Sequence, residues 1–173
     1  MDLITGGAGF IGSHLVDTLL ARGREVRVLD NESSGRVANL KHVKDNARLD
    51  IRVGDINDAG ALGPAMLGVD RVFHLAALAD IVPSIQQPEH YFRANVAGTF
   101  AVLQAARAAG VERFMYAASS SCYGLADQVP TPEAAPIRPT YPYALTKNLG
   151  EQMVEHWAQL YDLPAISLRL FNV

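Results

Sequence analysis

A single cysteine, Cys122, stands among the 173 residues. No disulfide can form within the chain, which fits a reducing cytoplasm and excludes the disulfide-stapled secreted domains. Charge of one sign is equally scarce: 15 Lys and Arg against 18 Asp and Glu leave a net charge of −3, and the cations are scattered. A chain without a basic patch offers no surface for nucleic acid. The longest apolar runs are broken by charge or glycine well short of the ~20 residues that a membrane span needs. The opening MDLITGG has neither a basic segment nor a cleavage site, so no leader is expected. The five histidines, His14, His42, His74, His90 and His156, lie far apart and make no ligand spacing, so no metal is expected. Internal repeats and low-complexity segments are also missing.

What is present reads as a globular domain. Hydrophobic residues make up 49% and charged residues 19%, and the length suits one domain over residues 1–173. Apolar, β-rich runs alternate with helical patterns. DLIT leads into glycines and a helix near residues 11–22 that ends before Gly23. EVRVLD, LDIRVGD, RVFHLAA, ERFMYAAS and AISLRLF read as further strands. A short helix is expected in DAGALGPAM, and a long one runs from about Pro88 to Ala109 with proline in its first turn. After a proline-rich loop from Val129 to Pro142, a last helix covers about Tyr143 to Tyr161. This alternation predicts an α/β fold: a doubly wound parallel sheet with helices on both faces.

The segment TGGAGFIGSHL follows the first strand directly. Gly6, Gly9 and Gly12 are spaced by three, and Gly7, Gly9 and Gly12 also satisfy G-x-G-x-x-G. One glycine permits a tight turn, another lets the backbone approach a pyrophosphate, and the last brings the helix close to the sheet. The helix N-terminus then offers free N–H groups to phosphate. Such a motif means little alone, but here it sits between a strand and a helix, the context it requires. Asp30 ends the second strand, eighteen residues after Gly12, where a carboxylate can accept from the ribose hydroxyls and repel a 2′-phosphate. NAD is therefore expected in preference to NADP, although Arg36 lies near in sequence.

YPYALTK, residues 141–147, offers two tyrosines to one lysine. Tyr143 lies four residues before Lys147, so the two share a helix face. Tyr141 precedes Pro142, which disfavours helical geometry there. A free phenol has a pKa of about 10. A nearby ammonium and a positively charged nicotinamide would favour the phenolate and bring it toward a base's working range. Cys122 is expected to be a small packed residue, since no basic neighbour in sequence would activate it.

Taken together, these segments resemble the extended short-chain dehydrogenase/reductase family, and within it the NAD-dependent nucleotide-sugar epimerases and dehydratases such as the UDP-glucose 4-epimerases. The residues that carry the resemblance are TGGAGFIGSHL at 5–15, Asp30 with Asn31, GDI at 54–56, HLAA at 74–77, Asn95 in NVAGT, SSSCYG at 119–124, YALTK at 143–147 and LRLFNV at 168–173. The resemblance implies a Rossmann domain. Gly6, Gly9, Phe10, Ile11 and Gly12 would lie at the pyrophosphate. Asp30, Asn31, Ser34 and Gly35 would follow the cofactor, Asp55 and Ile56 would meet the adenine, and Leu75, Ala76 and Ala77 would form its floor. Asn95 would be a helix-interior polar group in the cofactor set.

The same resemblance implies a catalytic set of Ser119, Tyr143 and Lys147, with Lys147 also on the nicotinamide ribose. Ser120 and Ser121 could replace Ser119 in register. Ser119, Ser120, Ser121, Tyr143 and Asn172 would face the nucleotide sugar. The implied reaction is 4-epimerisation through a transient 4-keto sugar. A 4,6-dehydratase is the alternative within the family, but the Asp-Glu pair of the resembling dehydratases is replaced here by Ser120 and Ser121. A decarboxylase or keto-reductase, and a non-catalytic NAD-binding module, are further alternatives. The resemblance also implies a homodimer through the helices near 88–109 and 143–161. It implies as well a smaller C-terminal substrate domain that would follow Val173, without which the chain should bind NAD but turn over sugar nucleotides poorly.

Overall fold

DLIT folds as β1 (Asp2–Thr5) at the centre of a six-stranded sheet. Its companions are β2 (Val26–Asp30), β3 (Leu49–Val53), β4 (Arg71–His74), β5 (Arg113–Ser119) and β6 (Ala165–Leu170). In the computed structural model, which describes residues 1–173, the strand order is β3-β2-β1-β4-β5-β6 and every pair is parallel. The expected doubly wound topology is therefore the one observed. The order reverses between β1 and β4, and sheets of this kind bind ligands at the carboxyl ends of the strands beside that switch point.

The two faces of the sheet are read off alternate residues, because successive side chains of a strand point to opposite sides. Leu3 of β1 and Leu29 of β2 enter one core, together with Leu62 and Met66, Val102 and Leu103, and Val154 and Trp157. These come from α2 (Ala59–Met66), α5 (Gly98–Ala108) and α6 (Pro142–Tyr161). Ile4, Val26 and Val28 enter the other core, against Val16, Leu19 and Leu20 of α1 (Phe10–Ala21). Strands buried on both faces read as continuous apolar runs, which is why β1 and β2 are buried at every position.

The structure departs from the sequence expectations in specific places. The long helix near 88–109 is present and unbroken but not α-helical throughout: it runs as α4 (Pro88–Tyr91), a π-helical stretch over Phe92–Ala97, and α5. A short α3 (Ile81–Gln86) and two 3-10 turns, Val37–Leu40 and Ser120–Tyr123, went unpredicted, being too brief to show a period. β4 stops at His74, and Leu75–Ala77 leave the ladder to line a cleft. Helix α6 begins one residue earlier than expected, with Pro142 in its first turn, where a missing N–H costs nothing. No helix is long and apolar enough to cross a membrane.

Candidate active site

The site begins at the turn after β1. Gly6 has φ +72°, and a Cβ there would lie 2.7 Å from the Ala76 nitrogen, so no side chain fits. At Gly12 a Cβ would meet the Gly6 carbonyl oxygen at 2.3 Å, which forces α1 to start hard against the turn. Gly9 caps α1 without a side-chain bond, leaving the first-turn N–H groups to face an incoming anion.

Asp30 closes this turn from the end of β2. Its Oδ2 accepts the Ala8 N–H at 2.9 Å and its Oδ1 accepts the Glu32 N–H at 2.8 Å. The carboxylate thus braces the glycine turn while also lining the adjoining cleft. Across the cleft, Asn31 Nδ2 donates to Asp55 at 2.9 Å, and the Asn57 N–H donates to its other oxygen at 2.8 Å. Burial alone would raise the Asp55 pKa, but these hydrogen bonds outweigh it and hold the carboxyl below its ordinary value.

Of the expected cofactor residues, Gly6, Gly9, Asp30, Asn31, Ser34, Gly35, Asp55, Ile56, Leu75, Ala76 and Ala77 line this one cleft. Ser33, Asn57, Leu78 and Ala94 line it too, and sequence reasoning missed them; adjacency to the named segments was the only signal. Phe10 stands 65% exposed at the start of α1, and Ile11 turns into a neighbouring cleft. Asn95 does not line the cleft. It is buried, and its amide is spent on the Leu78 backbone and on Thr146.

The neighbouring cleft holds the remaining expected residues. Ser119, Ser120, Ser121, Tyr143, Lys147 and Asn172 all line it. Leu75 and Ala77 line both clefts, so the two are parts of one groove crossing the switch point. Ser119 ends β5, and its Oγ accepts the Ser121 N–H at 3.2 Å. Tyr141 holds extended geometry as the N-cap of α6, with φ −148°, and stacks beside Tyr143 at 6.4 Å between centroids. It lines a different surface groove, with Phe92 and Leu145, while Tyr143 shares the cleft with Lys147.

Electrostatics within the protein differ from the simple expectation of an ammonium-stabilised phenolate. Burial raises the Tyr143 pKa, only partly opposed by the Ser119 hydroxyl. Burial also pushes Lys147 down to about 7, against the attraction of Glu151. Desolvation penalises both charged forms, and this wins over the Ser119 hydroxyl at one and the Glu151 carboxylate at the other. The Lys147 ammonium rests 4.4 Å from the Tyr116 ring centroid, where the π face partly offsets its burial. Tyr116 in turn donates to the Lys147 carbonyl at 3.3 Å and fills the space that Gly150 leaves on α6. Nothing in the sequence pattern singled Tyr116 out. One turn beyond Lys147, buried Glu151 accepts from Arg169 at 3.0 Å, and Arg169 also donates to Tyr123 at 2.8 Å, tying the turn after Ser119 to α6 and β6.

A dinucleotide groove joined to a Ser-Tyr-Lys cleft narrows the possible families, and comparison with known proteins decides among them. The family model described as GDP-mannose 4,6 dehydratase matches residues 3–173. The chain belongs to the nucleotide-sugar epimerase and dehydratase family of extended short-chain dehydrogenases/reductases. Within that family it is 40% identical to the UDP-glucose 4-epimerase of Streptomyces lividans over 171 residues, covering 99% of this chain and 51% of the relative. The crystal structure of UDP-glucose 4-epimerase from Brucella ovis in complex with NAD superimposes with a TM-score of 0.91 at 34% identity, covering 99% of this chain and 51% of that one. A dTDP-glucose 4,6-dehydratase double mutant from Streptomyces venezuelae with NAD bound gives 0.93 at 38% identity, covering 98% and 55%. The chain spans about half the length of the relatives it matches.

Proposed function

We propose that this chain carries the NAD-binding and catalytic half of a nucleotide-sugar 4-epimerase. The observation that carries the reading is the single groove in which the dinucleotide cleft runs into the cleft of Ser119, Tyr143 and Lys147. The groove fits NAD on its own features. Gly6 has no room for a Cβ, Ala76 and Ala77 keep the floor low, the start of α1 presents free N–H groups, and Asp30 meets the ribose end with negative charge. NAD bound there would supply a reversible hydride acceptor for the sugar C4. The Tyr143 phenolate takes the proton of the C4 hydroxyl, becoming the phenol, and later gives it back. Ser119 hydrogen-bonds the C4 oxygen, and Lys147 favours the phenolate when charged and holds the nicotinamide ribose hydroxyls. Asn172, at the mouth of the cleft, faces the nucleotide sugar.

Both an epimerase and a dehydratase stand among the relatives, and the serines favour the first. Elimination of water from the sugar needs an acid and a base beside C5 and C6. Ser120 and Ser121, both lining the cleft, are hydroxyls that supply neither with strength. The outer groove between the π-helical stretch and the start of α6, lined by Phe92, Tyr141, Leu145 and Leu149, is apolar. It suits pairing of two copies through these helices, a dimer that sedimentation would detect.

The test is product analysis on the full-length protein with UDP-glucose and dTDP-glucose. Expected is the C4 epimer, with Tyr143→Phe lowering turnover by about 10² to 10⁴ while NAD still binds, and Tyr141→Phe having far less effect. A 4-keto-6-deoxy product would overturn the epimerase reading, and equal activity of the two variants would overturn the assignment of Tyr143.

A further inference from the structure

His74 ends β4 immediately before Leu75, where the two clefts meet, and it is wholly buried. Its Nδ1 lies 2.7 Å from the Thr5 hydroxyl and its Nε2 lies 2.9 Å from the Thr99 hydroxyl. The direction of each bond follows from chemistry. Thr99 stands 2.6 Å from the Asn95 carbonyl, which can only accept, so the single Thr99 proton is spent there. Thr99 must then accept from His74, which places the imidazole proton on Nε2. Nδ1 is left to accept from Thr5, and the Thr5 oxygen accepts the Ala76 N–H at 3.4 Å.

The chain of bonds continues beyond Thr99. Asn95 lies within the π-helical stretch, a type of helical widening frequent at functional sites. Its side chain accepts the Leu78 N–H at 2.8 Å, donates to the Leu78 carbonyl at 3.0 Å and donates to the Thr146 hydroxyl at 3.0 Å. Thr146 donates onward to the Tyr143 carbonyl at 2.8 Å. From the Ala76 N–H to the Thr146 hydroxyl the donors thus run from the floor of the dinucleotide groove toward the first turn of α6, with one branch by which Asn95 donates back to the Leu78 carbonyl.

We infer that His74, as the neutral Nε2–H tautomer, is a positioning residue that couples the strand ends under the nicotinamide to the rotation of α6, and so aims the Tyr143 phenol. The inference rests on the reading of Tyr143 as the group that moves the C4 proton. A core histidine needs no such arrangement to pack. Here Thr5, Thr99 and Thr146 are all nearly inaccessible, and burying each hydroxyl is costly unless it is bonded. Burial, with the Lys147 charge adding to it, pushes the imidazole down to about 3, so the neutral form is the one present at working pH.

The test combines nitrogen-15 spectra of His74 with carbon-13 spectra of labelled tyrosine and steady-state kinetics. Expected are an unprotonated Nδ1 and a protonated Nε2 throughout pH 5.5 to 9. The isosteric Thr99→Val and Thr146→Val should each move the Tyr143 signal, whereas Thr18→Val on the exposed face of α1 should not. Both valine variants should lower kcat by about tenfold or more while KM and NAD affinity stay within about twofold, as expected for a misaimed group. A proton on Nδ1, a Tyr143 signal indifferent to both changes, or unchanged kcat would overturn the inference. Should His74→Leu fail to fold, the two valine variants still decide. Absence of turnover in the unaltered protein would sink the epimerase reading, while the spectra would judge the positioning role separately.

Discussion

Replacing Gly150 by alanine tests whether Tyr116 truly seats Lys147. A Cβ at Gly150 would stand 2.3 Å from the Tyr116 hydroxyl and 2.8 Å from its Cζ, and Tyr116 is 1% exposed, with nowhere to retreat. Overpacking of this kind costs about 1–3 kcal/mol. Disturbing the Tyr116 hydrogen bond to the Lys147 carbonyl costs about 1 kcal/mol more. Alanine's better helix propensity returns about 1 kcal/mol. The net expectation is a loss of about 1–3 kcal/mol, or about 0.5–1.5 M in the urea midpoint for an m-value near 2 kcal/mol/M. Gly63 is the control: it lies in α2, exposed, with nothing within 4 Å of the methyl that alanine would add, so Gly63→Ala should stabilise by about 0.5–1 kcal/mol. Urea melts of both variants, followed by NAD titration, provide the comparison. Two variants of equal stability would refute the close packing of Tyr116 on α6 and, with it, the seat proposed for Lys147.

Three further outcomes are expected. Calorimetric titration should show NAD binding more tightly than NADP, with Asp30→Ala narrowing the gap and also loosening the glycine turn, because Asp30 holds the Ala8 N–H; equal affinity for both cofactors in the unaltered protein would reject the role of Asp30. The cofactor-free protein should gain stability as pH rises from about 7 toward 10. The folded Lys147 pKa is depressed to about 7 from 10.5, so the unfolded chain binds more protons in that window, with a slope of up to about 1.4 kcal/mol per pH unit. Lys147→Met should flatten the slope, and an unchanged slope would show that Lys147 is not buried uncharged. Sedimentation should give a dimer that Leu145→Glu converts to monomer, since Leu145 stands 46% exposed in the apolar groove beside Phe92; a monomer before the change counts against pairing through these helices.

Sequence periodicity was enough to place all six strands, because the inner strands β1, β2 and β5 are short, largely buried runs, the edge strands β3 and β6 alternate aliphatic with polar residues, and the helices between them carry a different period. The glycine turn and Asp30 were legible for the same reason: their chemistry is local, and a strand and helix flank them in order. Asn95 shows where local reading stops. Its residue type and helical setting marked it as polar and near the site, but only the fold reveals that its amide joins Leu78 to Thr146, 51 positions away from Asn95 itself. Tyr116 and His74 were invisible as more than core residues. Their partners, Gly150 and Lys147 for one and Thr5 and Thr99 for the other, come from elements distant in sequence. The π-helical stretch at Phe92–Ala97 was hidden too, since no helix-breaking residue marks it.

The charge states of Tyr143 and Lys147 make sense only if the groove is built for an occupied state. In the protein alone, burial opposes both the phenolate and the ammonium, so near pH 8 the pair is held largely neutral. A neutral phenol is a poor base, and a neutral amine does little to help it. Three features of the surroundings act in the opposite direction: Glu151 favours the ammonium, the Tyr116 ring faces it, and the Ser119 hydroxyl favours the phenolate. They reduce the penalty without cancelling it. The balance therefore remains sensitive to one further positive charge near the phenol, which an oxidised nicotinamide in this cleft would supply under the proposed reading. The working pKa of Tyr143 is therefore set by its surroundings and by whatever fills the cleft together. Under the proposed reading this arrangement would keep the base weak until the hydride acceptor is in place, which would account for a buried lysine one helical turn from a buried tyrosine in the same cleft.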